Sequence, residues 1–216
     1  MASLREKLLE SLQNVFEKVF GKFVSGLFAK PVNILFLGID NSGKTTLVSK
    51  LKNNANHIFL PTKHTVKEKV EIGNLTATIY DIGGHAAVRI AWKDYFYKVD
   101  GIVFIVDVAD DERYSEVIEA YQTVTSLEQD APILVLMNKI DMLGEDSNTI
   151  SGKYELMEQL EYNTGIDRSR KNVCVQYVSI LSENTYDENG LLRTGFKWLS
   201  DTIEARKNEP LNKNNY

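Results

Sequence analysis

The chain has 216 residues, 25 of them basic and 30 acidic, for a net charge of -5. That length fits one well-buried α/β domain with an appendage and is too short for two ordinary domains. The acidic balance excludes a general electrostatic pull toward nucleic acid or anionic lipid, so no nucleic-acid partner is expected and any membrane contact must come from a local segment.

The first 30 residues carry one such segment. Apolar residues recur in steps of three and four from Leu4 and Leu8 through Leu12, Phe16, Val19, Phe20 and Phe23 to Leu27, opposed by Arg5, Glu6, Lys7, Glu10, Glu17, Lys18 and Lys22. The spacing predicts an amphipathic helix over 1–30, loosened near Gly21 and Gly26. Charges interrupt every apolar block, so it is not a secretory signal, and nothing reaches the roughly 18 apolar residues of a spanning helix. Its stripe is wider than a coiled-coil seam. Packing on the domain and insertion into a membrane interface both stay open, and one helix can do both in different states.

Residues 32–37, Val-Asn-Ile-Leu-Phe-Leu, read as a buried parallel strand, and residues 45–51 space their apolar side chains as a helix does. Between them runs Gly38-Ile39-Asp40-Asn41-Ser42-Gly43-Lys44-Thr45, which satisfies the phosphate-loop pattern in its proper strand-and-helix context. Its glycines let backbone N–H groups wrap a phosphate, and the helix start adds partial positive charge. The expected phosphate contacts are Asp40, Asn41, Ser42, Gly43, Lys44, Thr45 and Thr46, with the Lys44 ammonium on the β/γ-phosphates and the Thr45 hydroxyl on Mg²⁺.

Residues 53–64 show no period and read as a loop. Strand patterns follow at 66–72 and 75–80, joined by Gly73-Asn74 as a tight hairpin turn. Next comes Asp81-Ile82-Gly83-Gly84-His85. Asp81, ending a buried strand, is the expected holder of the magnesium hydration shell, and Gly84 leaves the backbone free to approach a γ-phosphate.

A strand at 101–107 and a helix at 112–128 precede the apolar run 132–137, which ends in Asn138-Lys139-Ile140-Asp141. The Asp141 carboxylate can accept hydrogen bonds from N1 and the exocyclic amine of guanine, and adenine offers neither donor. Hydrogen bonds to a charged group contribute about 1.5 to 3 kcal/mol each, so the pair gives at least a hundredfold discrimination. Lys139 would lay its stem over the base, and Asn138 would tie this turn to the phosphate loop. A helix at 151–163, a strand at 173–178 holding the lone Cys174 as inert filler, a loop at 182–190 and a helix at 195–206 complete the domain. The order implies a six-stranded, mostly parallel α/β sheet with helices on both faces and every ligand loop at a strand C-terminus. The expected boundaries are a membrane-binding helix at 1–30, a nucleotide-binding domain at 31–207 and a disordered tail at 208–216.

With these residues placed, residues 32–206 resemble the Arf/Sar family of small GTPases, and within it the Sar-type branch that starts COPII coat assembly. The phosphate loop looks like the family's. Asp81-Ile-Gly-Gly-His85 is the most diagnostic piece, because Sar-type proteins carry His where most relatives have Gln. Arg89-Ile-Ala-Trp92 and Gly195-Phe-Lys-Trp198 are also similar. Ala2 stands where myristoylation would need glycine.

The resemblance implies a small-GTPase fold and a switch that hydrolyses GTP to GDP with Mg²⁺. Thr62 stands where the family's first switch supplies a magnesium ligand. Ser179 and Ile180 fall where the family places a serine near the guanine carbonyl, and His85 is the candidate for orienting the attacking water. The implied partners are guanine nucleotide, the endoplasmic reticulum membrane through the first helix, COPII inner-coat subunits, an exchange factor and an activating protein. The implied location is the cytosol, the cytoplasmic face of the endoplasmic reticulum, and the Golgi. With no internal arginine finger identifiable, unaided hydrolysis should be slow, on the order of 10⁻⁴ to 10⁻³ s⁻¹. The alternative is another Arf-like GTPase serving as a nucleotide-dependent binding module or scaffold with little hydrolysis; a phosphotransferase would need an acceptor lid, and the sequence has no insertion large enough.

Overall fold

The computed structural model describes residues 32–53, 67–72, 75–80, 99–127, 130–143, 150–183 and 189–208. Within them lie β1 (Val32–Leu37), α1 (Lys44–Asn53), β2 (Lys67–Ile72), β3 (Leu75–Tyr80), β4 (Gly101–Asp107), α2 (Tyr114–Leu127), β5 (Ile133–Asn138), α3 (Ile150–Thr164), β6 (Val173–Val178) and α4 (Leu191–Asn208). Short 3₁₀ turns occupy Asp111–Arg113 and Ile140–Met142.

The sheet runs β2-β3-β1-β4-β5-β6, with β2 and β3 antiparallel and every other pair parallel, as the alternation of strand and helix patterns required. The antiparallel register sets Ile72 opposite Leu75, leaving two residues for the connection. Strands β4 and β5 are buried along their whole length, which is why their sequences read as unbroken apolar runs. In β1 the two-residue period divides the side chains between two cores. Ile34 and Phe36 pack with Leu47 and Leu51 of α1 and Phe196 and Leu199 of α4. Leu35 and Leu37 pack with Val117, Tyr121 and Val124 of α2 and Leu160 of α3. Ring contacts tie both layers: Phe36 meets Phe196 edge-on at 6.4 Å and Phe104 meets Tyr121 at a tilt, 5.3 Å between ring centroids.

The last helix corrects the sequence reading at both ends. It starts at Leu191 rather than Gly195 and runs past Arg206 to Asn208, the first residue of the expected tail. The Leu192 N–H donates to Glu183 Oε1 at 3.1 Å and the Thr194 N–H to the Gly190 carbonyl at 2.9 Å, so the first turn is closed before the glycine is reached. Gly195 serves close packing instead, since a Cβ there would lie 2.9 Å from Leu134 Cδ1. Helix α2 likewise begins at Tyr114, two residues later than expected, because the 3₁₀ turn comes first.

The parallel strands bring their C-terminal ends to one edge of the sheet. Asp107, Asn138 and Val178 stand abreast there, and β1 leads directly into Gly38. The helix expected at 1–30, Thr62, Asp81, Gly84, His85 and residues 209–216 lie outside the described residues.

Candidate functional site: a phosphate-loop motif joined to an Asn-Lys-x-Asp turn

Residues 38–43 turn sharply from β1 into α1 through three positive φ values, 146° at Gly38, 62° at Asn41 and 106° at Gly43. A Cβ on Gly38 would strike the Ile105 carbonyl, and one on Gly43 would strike the Asn138 amide, so both glycines are required by space as well as by backbone angle. The Gly43 carbonyl already accepts from the Leu47 N–H at 2.9 Å, which starts the helix. Lys44 is buried, and its Nζ donates to the carbonyls of Gly38 at 2.9 Å and Ile39 at 2.6 Å. The ammonium thus crosses the mouth of the loop, where a phosphate would meet it. Ser42 is fully buried and its hydroxyl has no partner among the described residues. Thr45 and Thr46 are half-buried on the first turn of α1, and Asn41 is exposed at the tip.

Asp40 points away from this cradle. Its carboxylate accepts from Arg113 Nη2 at 2.5 Å, and the same guanidinium is held by Glu116 at 2.9 Å. Burial pushes the Asp40 carboxyl up, but the hydrogen bond and charge of Arg113, with a backbone hydrogen bond and the Lys44 charge, together outweigh it and leave the carboxyl below the usual carboxylate value.

The second half of the site hangs from β5. Asn138 is 4% exposed; its Nδ2 donates to the Ser42 carbonyl at 2.8 Å, and its Oδ1 accepts from the Ile180 N–H at 2.9 Å. One amide therefore fastens the phosphate loop to the turn after β6. Lys139 sits in left-handed backbone, φ 69°, and its Nζ donates to Asp107 Oδ2 at 2.5 Å. Asp107 is 4% exposed and also accepts from the Ala109 N–H at 3.1 Å. The left-handed step at Lys139 turns the chain into the 3₁₀ turn that leaves Asp141 solvent-exposed. Ser179 and Ile180 are buried where β6 ends; the Ser179 carbonyl accepts from the N–H groups of Ser182 at 3.0 Å and Glu183 at 2.8 Å, which folds residues 179–183 into a closed turn.

Asp40 through Thr46, Asn138, Lys139, Asp141, Ser179 and Ile180 are thus brought to one edge of the sheet. Three residues that sequence reasoning missed join them. Asp107 could have been suspected, because a carboxylate ending an all-apolar strand must find a donor. Lys50 carried a fainter signal: it follows Leu47 by three residues on the apolar face of α1, where a lysine is out of place. Arg113 carried none, since its partner Asp40 is 73 residues away.

The arrangement suits an anion held by backbone N–H groups and a lysine, next to a flat group bounded by the Lys139 stem and the Asp141 carboxylate. For a divalent cation the described residues supply one suitable donor, the Thr45 hydroxyl, a neutral hard oxygen beside Lys44. Among the described residues there is no cluster of three His, Cys, Asp or Glu side chains that could hold a metal unaided.

The description of the ADP-ribosylation factor family matches residues 14–203. A small COPII coat GTPase SAR1 from Encephalitozoon cuniculi is 50% identical over 197 residues, covering 89% of each chain. A small COPII coat GTPase SAR1 from Giardia intestinalis is 33% identical over 180 residues, 81% of this chain and 91% of its own. The crystal structure of the Encephalitozoon cuniculi protein in complex with GDP superposes with a TM-score of 0.75 at 46% identity, covering 94% of this chain and 95% of that one.

Proposed function

The chain belongs to the ADP-ribosylation factor family, whose members hydrolyse GTP, and from that premise we propose that it is the GTP-controlled switch of the COPII coat. The observation that carries this reading is the Asn138 bridge, which makes a phosphate loop and an Asn-Lys-x-Asp turn into one continuous site. Lys44 and the backbone N–H groups of residues 40–46 hold the phosphates. Asp141 accepts from guanine N1 and the 2-amine, the Lys139 stem covers the base, and Ser179 and Ile180 face the guanine carbonyl.

Thr45, Thr62 and, through water, Asp81 would hold Mg²⁺, which when bound neutralises phosphate charge. Gly84 lends its N–H to the γ-phosphate, and His85 orients a water in line with it. That water attacks phosphorus, the bond to the bridging oxygen breaks, and GDP and inorganic phosphate remain. In the GTP form, segment 1–30 inserts its apolar stripe in the endoplasmic reticulum membrane. Burying one Leu or Phe side chain contributes about 1.5 to 3 kcal/mol, so a few inserted side chains suffice for binding without an attached lipid. Inner-coat subunits then dock on the membrane-bound protein; an exchange factor loads it and an activating protein discharges it. It cycles between the cytosol and the cytoplasmic faces of the endoplasmic reticulum and Golgi.

Liposome flotation tests the membrane step, and competition between ATP and GTP tests the nucleotide assignment. The protein loaded with a non-hydrolysable GTP analogue should float with the vesicles, and the GDP-loaded protein should not. Flotation in neither state refutes the membrane step, and equal binding of ATP and GTP refutes the nucleotide assignment.

A further inference from the structure

A buried cation that belongs to neither motif lies beside the proposed base site. Lys50 lies two turns into α1, the helix that the phosphate loop opens, and is 3% exposed. Its Nζ donates to the Ile180 carbonyl at 2.6 Å and the Leu181 carbonyl at 2.9 Å, across 130 and 131 residues of sequence. A lysine is seldom buried without a reason, because taking its charge out of water is costly unless several acceptors replace the solvent. Here two backbone carbonyls do so; burial lowers the ammonium's pKa, and the Glu183 carboxylate offsets part of that.

The Ile180 residue is thereby held from both sides. Its N–H is fixed by Asn138 and its carbonyl by Lys50, while the Ser179 carbonyl closes the turn through Ser182 and Glu183. We propose that Lys50 is a positioning residue for base recognition: it fastens the turn at 179–182 to the phosphate-binding helix and so fixes where the purine carbonyl is read. The inference rests on the guanine-nucleotide reading above and adds to it a residue that touches neither base nor phosphate. Without the ammonium, the buried Ile180 carbonyl and the partly buried Leu181 carbonyl lose their donor and the turn drifts from the Asn138 side chain, so base contacts weaken while the phosphate loop, whose backbone Lys50 does not touch, stays formed.

The test compares wild type with Lys50→Met, which keeps the length and apolar stem and removes the donor. The wild type must prefer GDP to ADP, and if it does not, the guanine reading fails before Lys50 is in question. In the variant, GDP and GTP should both dissociate faster by the same factor, about tenfold to a hundredfold. ADP, which gains nothing from the base contacts, should compete as weakly as before. Lys50→Arg, which keeps charge and donors, should restore most of the GDP-over-ADP preference. Equal weakening of GDP and ADP would make Lys50 a fold-supporting residue only, and an unchanged GDP dissociation rate would remove it from the site; either overturns the proposal. Should Lys50→Met fail to fold, Lys50→Gln, with one donor group left, carries the same comparison.

Discussion

Replacing Asn138 by alanine should separate the two halves of the nucleotide site, and the structure sets the size of the effect. The side chain makes two hydrogen bonds, to the Ser42 carbonyl and from the Ile180 N–H, and both of those residues are fully buried. A buried polar group stripped of its partner costs about 1 to 3 kcal/mol, so the pair costs about 2 to 6 kcal/mol, less whatever a water entering the vacated space restores. At about 1.4 kcal/mol per factor of ten, that is a loss in guanine-nucleotide affinity of about 30-fold to 10⁴-fold if it falls on the bound state. Asn138→Asp refines the test, since it keeps an acceptor for Ile180 but turns an oxygen toward the Ser42 carbonyl in place of a donor. Release of a fluorescent GDP from each variant measures the loss, with thermal unfolding of the loaded protein to show how much reached the fold instead. The aspartate should be no better than the alanine. GDP release within about threefold of wild type in Asn138→Ala would refute the bridge as a determinant of affinity.

Asp141→Asn should weaken GTP and shift preference toward xanthine nucleotide, whose edge offers the complementary donors and acceptors; competition binding with the two triphosphates measures it, and unchanged guanine affinity removes Asp141 from the site. Thr45→Asn should disfavour GTP more than GDP, because the triphosphate state depends more on metal bridging to the γ-phosphate, and equal losses for both nucleotides would contradict a metal role. His85→Gly should leave GTP binding nearly intact and suppress hydrolysis stimulated by an activating protein; single-turnover phosphate release at the wild-type rate would sink the water-orienting role.

What could be read from the sequence follows the range of the interactions involved. Strands β1, β4 and β5 announce themselves because both of their faces are buried, so composition alone carries the signal. The phosphate loop is legible because its chemistry is local, with two glycines, a lysine and a threonine within eight residues between a strand and a helix. Asn138 was legible in role as well as in place, since a side-chain amide at a strand end has both a donor and an acceptor to offer. Arg113 was not legible, and Asp107 and Lys50 were legible only as polar groups in want of a partner, because each is explained by a residue from another part of the chain, at separations of 73, 32 and 130 residues. In its own window Lys50 is only a lysine on an apolar helix face, and the Ile180 and Leu181 carbonyls give it a task. The start of α4 was misplaced for a related reason. Gly195 reads locally as a helix boundary, while the Glu183 side chain that meets the Leu192 N–H, and the Leu134 side chain that fills the space beside the glycine, come from elsewhere.

Polar side chains hold these loops together because the loops cannot satisfy themselves. Left-handed backbone at Asn41 and Gly43 takes the Ser42 carbonyl out of any helix or sheet ladder, and the turn at 179–183 does the same to the carbonyls of Ile180 and Leu181. The buried Ser42 and Ile180 carbonyls need donors, and Asn138 and Lys50 supply them from other segments, so satisfying the backbone and coupling the proposed phosphate and base halves are the same act. The two bridges converge on one residue, Ile180, whose N–H goes to one and whose carbonyl goes to the other. Once either is removed the turn can move, and the remaining bond then holds a turn that no longer sits at the base. The effects of Asn138→Ala and Lys50→Met on GDP release should therefore fall short of additive, because the second loss acts on a turn already displaced. A double-mutant cycle measured by GDP dissociation reads this directly. A double variant whose rate is the product of the two single effects would mean that the bridges act independently, each on its own half of the site.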